Sequence, residues 1–279
     1  MASDAALSQG AALDEANLDT AWLAAQRRMR WRRRAMPLIG GASLLFVWWA
    51  LVAYFQVRPF IAPAPEVVAL TVYNKFGMLM NNLLPTAIEA VCGFLVGNFA
   101  AIAIATAFVH RKTIEQAFFP VAVLINSIPV VAKAPILVLL LGNGLAPKIC
   151  IAAIVVFFPT LVNMVRGLEA VSPQAMELMH VLSATKWEVF VKLRLQTSLP
   201  YLFSALKIAA STAVVGAIVG EWIGSQIGIG ALILQATYNF DSALLYATVL
   251  CSSVFSVLFF LVIRGFERLV VRWEPGVVS

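Results

Sequence analysis

The sequence predicts an all-α integral membrane fold with six transmembrane helices. Three observations carry this expectation. Of the 279 residues, 61% are hydrophobic and only 12% are charged, about half the charged share of a typical soluble domain. Mean hydropathy is +0.89, more apolar than a soluble surface allows. The apolar residues also gather into runs of roughly 20, the length that carries a helix through a bilayer.

The elements follow in order. Residues 1–34 read as a cytoplasmic tail, Ala-rich with Asp4, Asp14, Glu15 and Asp19 scattered through it, and ending in a run of arginines at 27, 28, 30, 32, 33 and 34. The first expected span, 35–55, carries Pro37 near its start, where a missing amide is harmless. It is longer than the apolar region of a signal peptide and no small-residue cleavage site follows, so it reads as a retained anchor. The second span, 84–109, places Gly93, Gly97, Ala101 and Ala105 four residues apart on one face, the spacing of close helix packing. The third, 118–141, is the least regular, because Pro129 and Pro135 each remove a backbone donor. The fourth, fifth and sixth spans are 149–165, 202–222 and 243–263. Cys92, Cys150 and Cys251 lie inside spans at spacings that match no metal or disulfide framework, which marks them as packing residues.

Lys and Arg are retained on the cytoplasmic side of a membrane protein. With the N-terminus inside, that side receives the arginine run, Arg111, Lys112, Arg166, Lys186, Lys192, Arg194, Arg264, Arg268 and Arg272. The opposite side receives Arg58, Lys75 and Lys148. Both termini are therefore expected in the cytoplasm, and the net charge of +6 reflects topology, not nucleic-acid binding.

One polar stretch interrupts the spans: "SPQAMELMHVLSATKWEVFVKLRLQTSLP", residues 172–200. It has the grammar of two short helices. Ser172 and Pro173 form an N-cap and first-turn pair. Thr185 and Glu188, three residues apart, form a capping box for a second start, after which Trp187, Phe190, Val191 and Leu195 share a side. The residues alone leave two readings open: a knob that another protein grips, or an interfacial helix pair lying on lipid headgroups.

The chain has no Walker loop, dinucleotide fingerprint or zinc signature, and its two histidines, His110 and His180, are far apart. It is expected to hold no metal or cofactor and not to be an enzyme. Charged residues at membrane depth are expensive and so mark function or pairing. Three qualify. Glu89, Lys133 and Glu221 are candidates for the translocation pathway, Lys133 either attracting an anionic substrate or neutralising one of the glutamates. Lys207, near the end of its span, is expected to snorkel to the interface. Gly224, Gly228 and Gly230 read as a re-entrant turn or gate, and Pro129, Pro135 and Gly228 complete the pathway or gate candidates.

The insert resembles the "EAA" loop of ATP-binding cassette importer permeases, in which Glu-Ala-Ala, three residues, Gly, nine residues and Ile-x-Leu-Pro precede the fifth span. Glu177 falls on the family Glu, Ser183 on the Gly, and Leu193 and Leu195 on the Ile and Leu. Leu178 and Met179 replace the alanines, Ser183 replaces Gly, and Gln196 replaces Pro. The likeness extends over about 86–273. "SIPVVAKAPILVLLLGNG" (127–144), "FFPTLVNMVRGL" (157–168) and "GAIVGEWIGSQIGIGALILQA" (216–236) are similar to the nitrate, sulfonate, taurine and pyrimidine branch of this type I fold. "PTAIEAVCGFLVG", "FFPTLVN" and "GEWIG" look most like permeases for thiamine-pyrimidine precursors or riboflavin.

The resemblance implies a multi-pass permease domain over 35–273 in the inner (plasma) membrane of a bacterial cell, with its coupling insert at 172–200 and a tail at 274–279. It implies a dimer, either homodimer or heterodimer, in which each knob sits on an ATPase subunit that binds ATP and Mg. An external substrate-binding protein would deliver the cargo. Glu177, Leu178, Ser183, Ala184, Lys186 and Trp187 are then the residues expected to couple to the ATPase. A gradient-driven secondary transporter is the different-class alternative, for which the insert would be a plain surface helix pair.

Overall fold

The computed structural model describes Trp22, Trp31, Ala35, Met36 and residues 39–271. The arginine run, Pro37, Arg272 and the tail at 274–279 lie outside the described residues. The chain divides into two compact units, Met1–Glu66 and Val67–Ser279. The described part of the first holds helix α1, Ile39–Tyr54, apolar but 16 residues long, on the run expected to form the first span.

Among its described residues the second unit is built of helices joined by turns, and the first of these helices enters it at Val67. Its elements are α2 (Pro65–Asn74), α3 (Phe76–His110), α4 (Lys112–Ser127), α5 (Val130–Leu141), α6 (Leu145–Glu169), α7 (Pro173–Val181), α8 (Lys186–Val189), a π-helical turn (Phe190–Arg194), α9 (Leu195–Glu221), α10 (Ile229–Tyr238) and α11 (Ser242–Val270). Four described helices are long and apolar enough to cross a membrane: α3, α6, the continuous Lys186–Glu221 segment ending in α9, and α11. The bent pair α4 and α5 adds a fifth if counted as one span. The expected six are thus not all present as separate long helices among the described residues.

The difference has a physical cause at the third expected span. Ile128 is extended, with ψ of 127°, because a residue before proline is pushed out of the helical region, and Pro129 follows it with ψ of 135°. The chain turns by 99° there. Pro135, by contrast, is accommodated inside α5.

The bundle is built around α6, which packs along both α3 and α9. The small-residue face of α3 makes this close approach possible. A Cβ on Gly93 would stand 2.4 Å from Ala152 Cβ, and one on Gly97 would stand 2.3 Å from the Ala153 carbonyl oxygen. Ala101 and Ala105 are fully buried in the same seam. Where the seam meets polar atoms they are paired: Thr160 Oγ1 donates to Asn98 Oδ1 at 2.6 Å. One apolar cluster joins Ala90 and Phe94 of α3 to Val156 of α6, the Ala209–Ala217 region of α9 and Ile263 of α11. A second joins Ala101, Ala105 and Phe108 to Leu161, Met164 and Leu168. By contrast α4 has no buried residue, and in α5 only Lys133 and Ala134 are buried, so these two helices present apolar surface outward.

At one end of the bundle, here the knob end, Lys112 at the start of α4 is ion-paired with Glu115 and with Glu169 at the end of α6. Lys207 of α9 makes a two-pronged bond to Glu267 of α11 at 2.8 and 2.9 Å. It pairs within the protein where snorkelling was expected. The opposite, far end is pinned by Lys75 to Asp241 at 2.9 Å, and Asp241 also caps α11 by accepting from the Leu244 amide.

Candidate functional site

The insert between α6 and α9 folds as two short helices and a turn, and each boundary is set by its own side chains. Ser172 accepts from the Ala175 amide at 3.3 Å with Pro173 in the first turn. Helix α7 ends in a Schellman arrangement: the Ala184 amide reaches the Met179 carbonyl at 3.0 Å and the Ser183 amide the His180 carbonyl at 2.9 Å. That closure needs a left-handed residue, and Ser183 supplies it with φ of 53°. The capping box is complete, with Thr185 N–H donating to Glu188 Oε2 at 2.9 Å and Glu188 N–H to Thr185 Oγ1 at 3.3 Å. Those bonds, the Thr185 amide first and the Lys192 ammonium beside it, hold the Glu188 carboxyl down at about 2.

The insert is anchored through Phe190. This ring is buried against the Ala101, Phe108 and Leu161 cluster and lies 5.0 Å from the His110 ring. The π-helical turn at Phe190–Arg194 then leads into α9. The segment Lys186–Glu221 spans 36 residues, about 54 Å at 1.5 Å per residue, so its first turns project beyond a hydrocarbon core of about 30 Å. The projecting knob is apolar on its outside: Leu178 is 59% exposed, Leu182 66% and Trp187 68%. Glu177 and Lys186 are exposed beside them and Ala184 is half-buried. Trp187 lies tilted against Phe190, with ring centroids 5.8 Å apart. A cavity of about 330 Å³ lies under the knob, lined by Val109, His110, Met176, Ala184, Lys186, Val189, Phe190 and Arg194.

The far end holds the charged residues expected at membrane depth, in an arrangement the sequence did not disclose. Glu89 and Glu221 are both fully buried. Lys148, not Lys133, is the cation beside them: its Nζ is 3.0 Å from Glu89 Oε1 and donates to Ser225 Oγ at 2.7 Å. Glu221 accepts from Thr86 Oγ1 and from the Gly230 amide, each at 2.5 Å, while Thr86 Oγ1 accepts from the Ile229 amide at 2.9 Å. Gly228 has φ of +131° and passes so close to Glu221 that a Cβ would stand 2.2 Å from Oε1. Only glycine fits there. Its amide donates to Asn82 Oδ1 at 3.0 Å. The turn between α9 and α10 is further held by Asn143, which donates to the Gly224 carbonyl at 3.0 Å. An open cavity of about 410 Å³ reaches this cluster between Pro85, Asn143, Lys148 and Gln226.

The structure therefore brings Glu89, Glu221 and Gly228 together and leaves Lys133 apart. Lys133 is buried on α5 and forms no hydrogen bond or ion pair among the described residues, while Pro129 and Pro135 are exposed. Lys148 was read from sequence as an outer-loop charge. The signal that could have placed it is its spacing from Ala152 and Val156, both fully buried, which puts all three on one helical face.

Comparison with known proteins agrees with the fold. Residues 93–273 match the family described as binding-protein-dependent transport system inner membrane component. The chain is 30% identical over 252 residues to the riboflavin transport system permease protein RibX of Chloroflexus aurantiacus, covering 90% of this chain and 94% of that one. It is 29% identical to the formylaminopyrimidine transport permease protein ThiX of Halalkalibacterium halodurans, covering 83% and 93%. Among solved structures, an inward-facing MetNI methionine ABC transporter chain superposes with a TM-score of 0.55 at 17% identity, over 75% of this chain and 98% of that one, a likeness of fold. The chain belongs to the inner membrane components of binding-protein-dependent transport systems, the permease subunits of ATP-binding cassette importers, in which ATP hydrolysis resides in a separate subunit.

Proposed function

We propose that this permease imports a small heteroaromatic nutrient of the riboflavin or pyrimidine-precursor type. The observation that carries the reading is the likeness to two permeases named for such cargo, extending over 83% or more of the chain. In this reading the knob end is cytoplasmic and the far end external, as the Lys and Arg distribution favours. Residues 35–273 act as the permease body, and both chain termini lie inside.

The knob is the grip for the ATPase. Leu178 and Trp187 enter a cleft of the nucleotide-binding subunit, Glu177 and Lys186 pair at its rim, and the Ser183–Ala184 turn permits close approach. ATP and Mg bind in that partner. Closure of two such partners moves the knobs as rigid bodies and switches the pathway. The outward apolar surface of α4 and α5 is where a second permease copy packs, identical or not. An external binding protein delivers cargo to the far end, where Glu221, Glu89 and Gly228 form the gate.

A second reading, import of a small anion, is favoured by one observation: Lys133 is buried without a partner among the described residues, in the first turns of α5, where the positive end of the helix dipole adds to its charge. The test is uptake of radiolabelled riboflavin and of an aminopyrimidine by cells with and without this chain. Uptake that depends on the chain and resists excess taurine and nitrate supports the vitamin reading; uptake of the anions alone overturns it.

A further inference from the structure

The far-end cluster is unbalanced in charge. Two carboxyl groups, Glu89 of α3 and Glu221 of α9, are fully buried, and one ammonium, Lys148 of α6, reaches Glu89. The other elements packed against the cluster add no charge: Thr86 of α3 contributes a hydroxyl, Ser225 a hydroxyl and α10 the Gly230 amide. Lys133 of the neighbouring α5 makes no ion pair with it, and Asp241 is satisfied by Lys75. The site lacks one positive charge.

The bonding shows where it is lacking. Glu221 takes two donors, whereas Glu89 has Lys148 at 3.0 Å from Oε1 and no donor on Oε2 among the described residues. Glu221 reaches α3 at Thr86, three residues before Glu89 and on the same helical face, so both carboxyls lie on that face of α3. Two carboxylates in contact present only acceptors and repel, whereas one proton between them makes one a donor and turns the contact into a hydrogen bond. The turn presses on Glu221 at Gly228 and Gly230 and leaves its carboxyl fully buried, where a second ion is costly, while Glu89 borders the open cavity.

We propose that Glu89 and Glu221 bind a single exchangeable proton between them, balanced by Lys148, and that this is a proton site coupled to the turn joining α9 and α10. When the turn lifts off α3, the Gly228 bond to Asn82, the Ile229 bond to Thr86 and the Gly230 bond to Glu221 break and water enters. The shared O–H bond then ionises, the proton goes to water and two hydrated carboxylates remain; closure reverses the step. No redox partner is involved. The site does not depend on which cargo is carried.

Infrared spectroscopy of the full chain in lipid nanodiscs tests this. At neutral pH the wild-type protein should show a protonated-carboxyl stretch that shifts on exchange into deuterium oxide. It should be lost in both Glu89→Gln and Glu221→Gln, since either change leaves a single carboxylate facing Lys148. A Glu115→Gln control, changed at the knob end, should retain it. If the two variants do not fold, reversible loss of the wild-type band on alkaline titration supports the site instead. Absence of the band in the wild type at neutral pH, its persistence in both variants, or its removal by sodium at constant pH, which would make the missing charge a metal cation, overturns the proposal.

Discussion

Replacing Ser183 by glycine should strengthen the knob. Ser183 closes α7 at φ of 53°, a conformation that costs an L-residue about 1–2 kcal/mol and glycine nothing. Glycine gives back roughly 0.5–1 kcal/mol because its unfolded chain is freer. The net gain is roughly 0.5–1 kcal/mol, a two- to five-fold change in the local opening equilibrium. The two amides that the turn closes, Ser183 and Ala184, bond to the His180 and Met179 carbonyls and report that opening directly by hydrogen exchange. In Ser183→Gly the Ala184 amide should be protected two- to five-fold better than in wild type. Ser183→Val, β-branched and hardest to place at positive φ, should exchange faster. Equal protection in all three, or faster exchange in the glycine variant, would refute the claim that the turn is strained by its side chain.

Further outcomes follow from the same geometry. Gly97→Ala pushes a Cβ to 2.3 Å from the Ala153 carbonyl oxygen, and backbone cannot yield cheaply; a loss of about 1–3 kcal/mol should appear as a lower melting temperature, whereas Gly40→Ala, which meets nothing within 4 Å, should not lower it. Lys148→Met strands Glu89 in a buried site and should cost about 3–5 kcal/mol, while Lys148→Met with Glu89→Leu should recover most of it in the same melt. The Glu188 cap is pH-dependent: its folded carboxyl sits at about 2 against an ordinary 4.5, so its stabilisation is present above pH 4.5 and is lost as pH falls toward 2. The difference in Glu188 amide protection between wild type and Glu188→Gln should therefore be present at pH 6 and vanish near pH 2. Glu221→Gln should reduce uptake more than it reduces assembly with the ATPase; equal loss of both would make its role structural.

The knob was legible in the sequence because its determinants are local. Ser172 with Pro173, and Thr185 with Glu188, are read within four residues, and the structure forms both caps. The α3 packing face was legible for a similar reason, since a four-residue period of small residues survives any tertiary arrangement. What was not legible required contacts distant in sequence. Lys148 and Glu89 are 59 positions apart by residue number, and a charge beside Pro147 reads as an outer loop until α6 is seen to begin at Leu145. Pro129 warned of irregularity, but a proline specifies only that the residue before it is extended and not the 99° angle of the resulting bend. Lys207 was assigned to the interface because Glu267, its partner, lies on another helix.

The central claim, that the exposed Leu178, Leu182 and Trp187 surface is the grip for an ATPase, is tested most directly by purifying the full chain in mild detergent and identifying its companions by mass spectrometry. The account predicts a stoichiometric subunit with a Walker loop that is retained by wild type and lost from Leu178→Asp with Trp187→Asp, while the permease itself stays folded. A chain that purifies alone and still drives uptake would contradict it.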